Sequence, residues 1–159
     1  MMSEETATLL IVDDEEMVLT SLSAFLMLET DYNVETFTSA NAAIEFAEGN
    51  RFDLVISDYL MPEMDGISLL GRLKEILPES PRILLTGYTD KENAIKGINE
   101  VGLFQYIEKP WDNEQLRLVI RNGLEKQQLL SQLQQKIGEI NQAYGDLQSI
   151  QKEILKTFA

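Results

Sequence analysis

The feature that most constrains this chain is an alternation: five times, a short run of strand-forming residues is followed by a segment with helical spacing. Thr8 to Val12 is an apolar run of strand length, and Glu15 to Glu29 after it places Val18, Leu22, Phe25 and Leu26 on one helical face. Tyr32 to Phe37 with Ala42 to Glu48 repeats the unit. So does Leu54 to Ser57 with Ser68 to Leu77, a helix stopped by Pro78. Arg82 to Thr86, a helix over Lys91 to Val101, Phe104 to Glu108 and a last helix capped by Asp112 complete the series. Strands joined by crossover helices run parallel, because each connection returns to the same end, and a parallel sheet needs cover on both faces. The predicted fold is therefore α/β, a doubly wound five-stranded parallel sheet. In such sheets functional groups collect where the carboxyl ends of the strands open into loops.

At that edge the first strand runs into Asp13-Asp14 and the third into Asp58, so three carboxylates are expected in one crevice. Like charges held that close raise one another's pKa or require a counter-ion, and an all-oxygen donor set suits a hard cation, Mg2+ first. Read alone, Asp13 to Glu16 is a helix start with acids favoured by the helix dipole. The wider set changes that reading, because Thr86 ends the fourth strand and Lys109 follows the fifth, adding a hydroxyl and an ammonium at the same edge. The chain has no Cys and no His, which removes disulfides, thiolate nucleophiles, zinc–thiolate centres and imidazole catalysis. Chemistry has to run on oxygen and amine groups. Gly-rich phosphate loops are missing as well, so nucleotide binding has no support.

Charge divides the chain. Residues 1–112 hold 22 Asp/Glu and 7 Lys/Arg, whereas residues 113–159 hold 5 and 6, within an overall −14. An acidic body repels phosphate backbones, so direct nucleic-acid binding is not expected. The longest apolar run, Ala24 to Leu28, is far too short for a membrane span and the acidic start is no secretory signal, so the expected location is cytoplasmic, without a membrane partner. Beyond residue 125 apolar residues recur at three- and four-residue steps: Leu130, Leu133, Ile137, Ile140, Tyr144, Leu147, then Ile154 and Phe158. That is a heptad seam, reaching back through Leu116 and Val119 with interruptions at Gly123, Lys126 and Gln151. A lone helix with one apolar stripe needs a surface to bury it against, which predicts a homodimer through this helix. Gly138 and Gly145 argue instead for fraying. The flanks Gln134, Asn141, Ala143 and Gln148 leave parallel and antiparallel pairing open. The expected organisation is an α/β domain over 1–125 and a helical coiled-coil linker over 126–159.

Four stretches together resemble the receiver domain of two-component response regulators. They are Asp13-Asp14 after an apolar strand, Asp58 within Ser-Asp-Tyr-Leu-Met-Pro-Glu-Met-Asp-Gly, Leu-Leu-Thr-Gly ending at Gly87, and Tyr-Ile-Glu-Lys-Pro from Tyr106 to Pro110, the last carrying both an aromatic and an amine. The resemblance covers residues 8 to about 124 and implies a flavodoxin-like fold in which Asp58 accepts a phosphoryl group from a histidine kinase or phosphotransfer protein. It implies Mg2+ held by Asp14, Asp58 and the main-chain oxygen of Leu60, with Asp13 acting mainly through water. Lys109 would pair with a phosphate oxygen, aimed by a cis bond to Pro110, and Gly87 would leave the phosphate room. Thr86 and Tyr106 would be the switch, the hydroxyl bonding the phosphate and the ring turning into the vacated space. The face of the fourth helix, fifth strand and fifth helix would change with them. Bulky Leu60 and Tyr88, two residues after Asp58 and Thr86, imply slow self-hydrolysis and no other catalytic turnover. Lys-Pro-Trp-Asp running into a long helix is similar to receivers that precede outputs such as cyclic-di-GMP phosphodiesterases, so an output domain or partner is expected after Ala159. Two alternatives compete: a magnesium-dependent α/β phosphatase with Asp13 as nucleophile, and an adaptor that works without phosphorylation. Adjacent acids and the lack of a substrate-cap segment count against the phosphatase. Trp111, Met61 and Met64 read as packing residues and Asp65-Gly66 as a turn and helix start.

Overall fold

The strands are Thr8–Val12 (β1), Asn33–Phe37 (β2), Leu54–Asp58 (β3), Arg82–Thr86 (β4) and Gln105–Glu108 (β5); β1, β3 and β4 are rich in Leu, Ile and Val, which suits strands buried on both faces, whereas β2 and β5 are more polar and partly exposed. In the computed structural model, which describes residues 6–87 and 90–158, they form one sheet in the order β2-β1-β3-β4-β5. Every ladder is parallel. Register pairs Val12 with Ser57, Asp58 with Leu85 and Thr86 with Glu108, so the strand ends lie level. Asp13, Asp58, Thr86 and Lys109 consequently emerge at one edge.

The helices are Glu16–Glu29 (α1), Ala40–Gly49 (α2), Gly66–Ile76 (α3), Lys91–Val101 (α4) and Asn113–Phe158 (α5). Because side chains alternate along a strand, Leu10 and Val12 face one core and Leu9 and Ile11 the other. The first core takes its helical side chains from α2, α3 and α4, through residues such as Ala43, Leu70 and Ala94. The second takes them from α1 and the start of α5, through Leu22, Leu26, Leu116 and Ile120. Leu19 is buried on α1 while Val18 and Phe25 are only partly covered, so the buried stripe is turned slightly from the expected face.

Two helices begin earlier than the periodicity predicts, and in each a capping side chain is the reason. Ser39 accepts from the Ala42 N–H at 3.2 Å, which starts α2 at Ala40. Asp65 accepts from the Ser68 N–H at 2.8 Å, which starts α3 at Gly66. Asp112 accepts from the Glu114 N–H at 3.3 Å at the entry to α5, as expected of a cap.

Contacts divide the chain into a compact unit ending at Gln127 and a second unit from Gln128. The second unit is helical through Phe158. Its seam residues Leu133, Ile137, Ile140, Tyr144, Leu147 and Ile154 are between 48% and 65% exposed. Among the described residues no helix is long and apolar enough to cross a membrane.

Candidate functional site

Asp13 leaves β1 with its N–H bonded to the Phe37 carbonyl at 3.1 Å, and its side chain is fully buried. One carboxylate oxygen accepts from the Glu15 N–H at 2.9 Å and the other from the Lys109 ammonium at 3.1 Å. Asp14, next in sequence, faces solvent. Asp58 closes β3 at 7% exposure. Its carbonyl accepts from the Ser57 hydroxyl at 2.9 Å, and a Cβ added to Gly66 would lie 2.1 Å from that same oxygen. Only glycine fits there, which gives Asp65-Gly66 a role beyond a turn: it lets the next helix start against the backbone of Asp58.

Lys109 follows β5 with its N–H bonded to the Thr86 carbonyl at 2.9 Å, and its bond to Pro110 is cis, as anticipated. Its ammonium lies 2.9 Å from Asp58 Oδ1 and 3.1 Å from Asp13 Oδ2, so it bridges both acids. Asp13, Asp14 and Asp58 each place one carboxylate oxygen within 4.8 Å of the others. Three carboxylates against one ammonium leave two negative charges uncompensated. The donors are all oxygen, with one acid open to water, and that set fits a hard divalent cation that keeps several waters.

Burial is the largest influence on Asp58 and pushes its carboxyl up; the Lys109 hydrogen bond pulls it down, and the charge of Asp13 adds to the rise. On Lys109 burial alone favours the neutral amine, yet Asp58 and then Asp13 outweigh it and hold the ammonium above the ordinary lysine range. Both partners of one pair therefore move upward, where a simple ion pair would draw the acid down. The geometry decides in favour of charge: an ammonium within hydrogen-bond distance of two acids is an ionised group facing carboxylates at neutral pH.

Thr86 is fully buried, and its hydroxyl donates to the Gly87 carbonyl at 3.1 Å. Leu84 pairs with Tyr106 and Thr86 with Glu108, so Thr86 and Tyr106 are diagonal neighbours on the same face of the sheet. The Tyr106 ring is half-buried against the core covered by α2, α3 and α4. Leu60, in the loop after β3, is 60% exposed. Tyr88 lies outside the described residues. Trp111 packs on the α1/α5 core and its indole N–H donates to Asn113 Oδ1 at 3.1 Å, while Met61 and Met64 pack on the other core; all three are packing residues, as read.

Sequence reasoning missed two pairings beside this site and one at the opposite end of the sheet. Glu63 accepts from the Ser39 hydroxyl at 2.7 Å and from the Asn41 amide at 3.2 Å, tying the loop after Asp58 to the start of α2. Lys91 on α4 pairs with Glu108 on β5 at 3.3 Å, across the face that carries Tyr106. Arg82, buried, donates to the carbonyls of Pro78, Ser80, Val101 and Gly102, which locks the far ends of α3 and α4 to β4. The pairings of Glu63 and Lys91 carry no local signal, because their partners lie 17 to 24 positions away.

Comparison with known proteins agrees with this geometry. The family model of the response regulator receiver domain matches residues 9–121. The hydrogenase transcriptional regulatory protein HoxA of Cupriavidus necator is 37% identical over 128 residues, covering 80% of this chain and 26% of that protein. The response regulator Rre1 of Synechocystis is 30% identical over 152 residues, covering 94% of this chain and 65% of Rre1. This chain thus spans about a quarter of the length of HoxA and just under two thirds of Rre1. The crystal structure of the signal receiver domain of an HD domain-containing protein from Pseudomonas fluorescens Pf-5 superposes with a TM-score of 0.74 at 36% identity, covering 78% of this chain and 98% of that one.

Proposed function

Because the chain belongs to the response regulator receiver family, we propose that it is a phosphoacceptor in which Asp58 takes a phosphoryl group from a histidine kinase or phosphotransfer protein. The observation that carries this reading is the Lys109 ammonium bridging Asp13 and Asp58 inside a three-carboxylate cluster at the strand ends. An Asp58 oxygen attacks phosphorus in line as the P–N bond to the donor imidazole breaks; the electron pair stays on that nitrogen, and an aspartyl phosphate is left. Asp14, Asp58 and the Leu60 main-chain oxygen would hold Mg2+, with Asp13 acting through water, and the ion would supply neutralisation of the phosphoryl charge.

The chain's own groups do the rest. Lys109 exchanges its contact with Asp58 for a phosphate oxygen while keeping Asp13, and Gly87 keeps the approach open. The Thr86 hydroxyl gives up Gly87 for the phosphate, and the Tyr106 ring turns into the space it leaves. A phosphate adds up to two negative charges and three acceptors, enough to bias an element that already has two arrangements. In this reading residues 1–125 are the switch and 126–159 carry its state onward through a helix paired with a second copy, to an output domain or partner in the cytoplasm, without direct nucleic-acid or membrane contact. Self-hydrolysis of the phosphoryl group is slow because Leu60 offers water no polar guide. Asp13 as a phosphatase nucleophile loses support, since it is fully buried and both its oxygens are engaged.

Incubation with acetyl phosphate and Mg2+, read by intact mass, tests the proposal. One phosphoryl group per chain, lost in Asp58→Asn, is the expected result. Continuous release of phosphate would mean a phosphatase, and no adduct would mean an adaptor that works without the modification.

A further inference from the structure

We propose that the α5 seam pairs with a second copy of this chain as a parallel, in-register two-stranded coil. This rests on the helix-mediated dimer above and adds its polarity and alignment. With Leu130, Ile137, Tyr144 and Gln151 at the a positions, every d position from Leu133 to Ile154 is Leu or Ile. Gln151 is the one polar residue in these eight layers, and it discriminates. In a parallel pair a faces a, so the two Gln151 amides meet and bond to each other. In an antiparallel pair a faces d, and each amide is buried against an aliphatic side chain with no partner.

The flanks point the same way independently. Leu155 is the only apolar residue at an e position of the described seam; Gln134, Asn141 and Gln148 are amides. Five residues before it stands Ile150, at g. They are 68% and 55% exposed. In a parallel coil a g residue touches the e residue five positions on in the partner, so Ile150 and Leu155 cover one another on both sides of the pair. An antiparallel coil sets g against g and e against e, which separates them. Lys136, the sole charge at e or g over this stretch, faces Asn141 in the parallel arrangement and meets no like charge. Gly138 and Gly145 both occupy the outward b position, where an added Cβ would touch nothing within 4 Å, so neither interrupts the contact.

Size is adequate. From Gln128 to Phe158 the helix is roughly 46 Å long at about 1.5 Å per residue. A strip roughly 10 Å wide on each partner would cover on the order of 1,000 Å², the threshold for a specific contact.

The natural absence of cysteine makes the test direct. Leu130→Cys at an a position and Ile154→Cys at a d position, which would face one another in an antiparallel pair, are prepared separately in the full chain and oxidised with copper–phenanthroline, with Gln135→Cys on the outer face as control. Each seam variant alone is expected to give the disulfide-linked dimer nearly to completion, and the control to give little. Linkage only when the two seam variants are mixed overturns the parallel polarity. Monomers in sedimentation of the unmodified chain overturn the pairing itself, while the acetyl phosphate adduct at Asp58 reports separately on the phosphoacceptor. Gln151→Leu keeps the association but loses the unique alignment, seen as added oligomeric states; a single unchanged species would remove Gln151 as the determinant.

Discussion

Asp58 is buried beside another acid, and that placement has a consequence for stability that can be read against pH. An unfolded aspartate titrates near ~3.9, while the folded Asp58 is raised by burial. Between those two values the folded protein binds more proton than the unfolded one, so this residue's contribution falls as pH rises through the window and is level above it. Lys109 adds nothing there: its raised pKa gives stability that is complete below the ordinary lysine range and lost only as pH climbs through the folded value. Without divalent cation, Asp58→Asn should therefore be more stable than the wild type at neutral pH, with the difference shrinking toward acid and reversing when Mg2+ is added. Urea midpoints from about pH 4 to 8 measure it. Gly66 carries a second expectation. Its missing Cβ would sit 2.1 Å from the Asp58 carbonyl oxygen and 2.9 Å from Leu84, so Gly66→Ala should cost about 2–3 kcal/mol by chemical denaturation and slow phosphorylation by displacing Asp58. Leu60→Asn, by offering water a polar guide, should shorten the phosphoryl lifetime about tenfold, equivalent to ~1.4 kcal/mol in the barrier, followed by loss of the adduct mass.

Between elements, Arg82 is the tie that residue-by-residue reading does not anticipate. Its guanidinium reaches four carbonyls at 3.0–3.1 Å, two in the turn after α3 and two at the end of α4. Arg82→Met keeps the bulk but leaves those carbonyls unpaired, and a loss of about 2–4 kcal/mol in urea unfolding is expected, with Arg82→Lys recovering little because an ammonium cannot span the same fork. β1, β3 and β4 were legible in the sequence as local apolar runs that lead into a polar residue, β2 and β5 only as short runs with β-branched or aromatic residues between helical segments, and Asp13, Asp58 and Lys109 could be placed at one edge because the strands run parallel. Helix starts were less legible from periodicity: Ala40 follows a cap at Ser39 that went unread, whereas the start at Gly66 was visible in Asp65-Gly66, though the apolar spacing placed it two residues later. Partners such as Glu63 with Ser39 were not legible at all, since only the folded chain brings those loops together. The breaks in the heptad seam at Gly123 and Lys126 find their cause in packing. Gly123 sits where a Cβ would come within 2.9 Å of Leu54, and Lys126 lies over the Phe104 ring at 5.5 Å, so both answer to the α/β unit instead of the seam.

At the scale of the whole molecule, the proposed function gives two tasks to different stretches, and they should separate experimentally. Ile140→Asp places a charge in the middle of the seam, so sedimentation should report half the mass of the paired chain while acetyl phosphate still modifies Asp58 once per chain. Loss of both together would mean the stretches are not independent. The two cores set a further condition on how they communicate. Tyr106 packs with α2, α3 and α4, whereas the first turns of α5 pack on the opposite side of the sheet, with Ile107. In the proposed switch the ring meets the last helix only at the rim, where Tyr106 and Gln115 of α5 line one cavity beside β5, and not through the core of that helix. The strand that bears Tyr106 and Ile107, β5, hydrogen-bonds to β4 alone. It can roll about its own axis without tearing a second ladder, as no inner strand can, so in the proposed switch a message from the acidic pocket would travel as a twist of that border strand, like a key turned in a door.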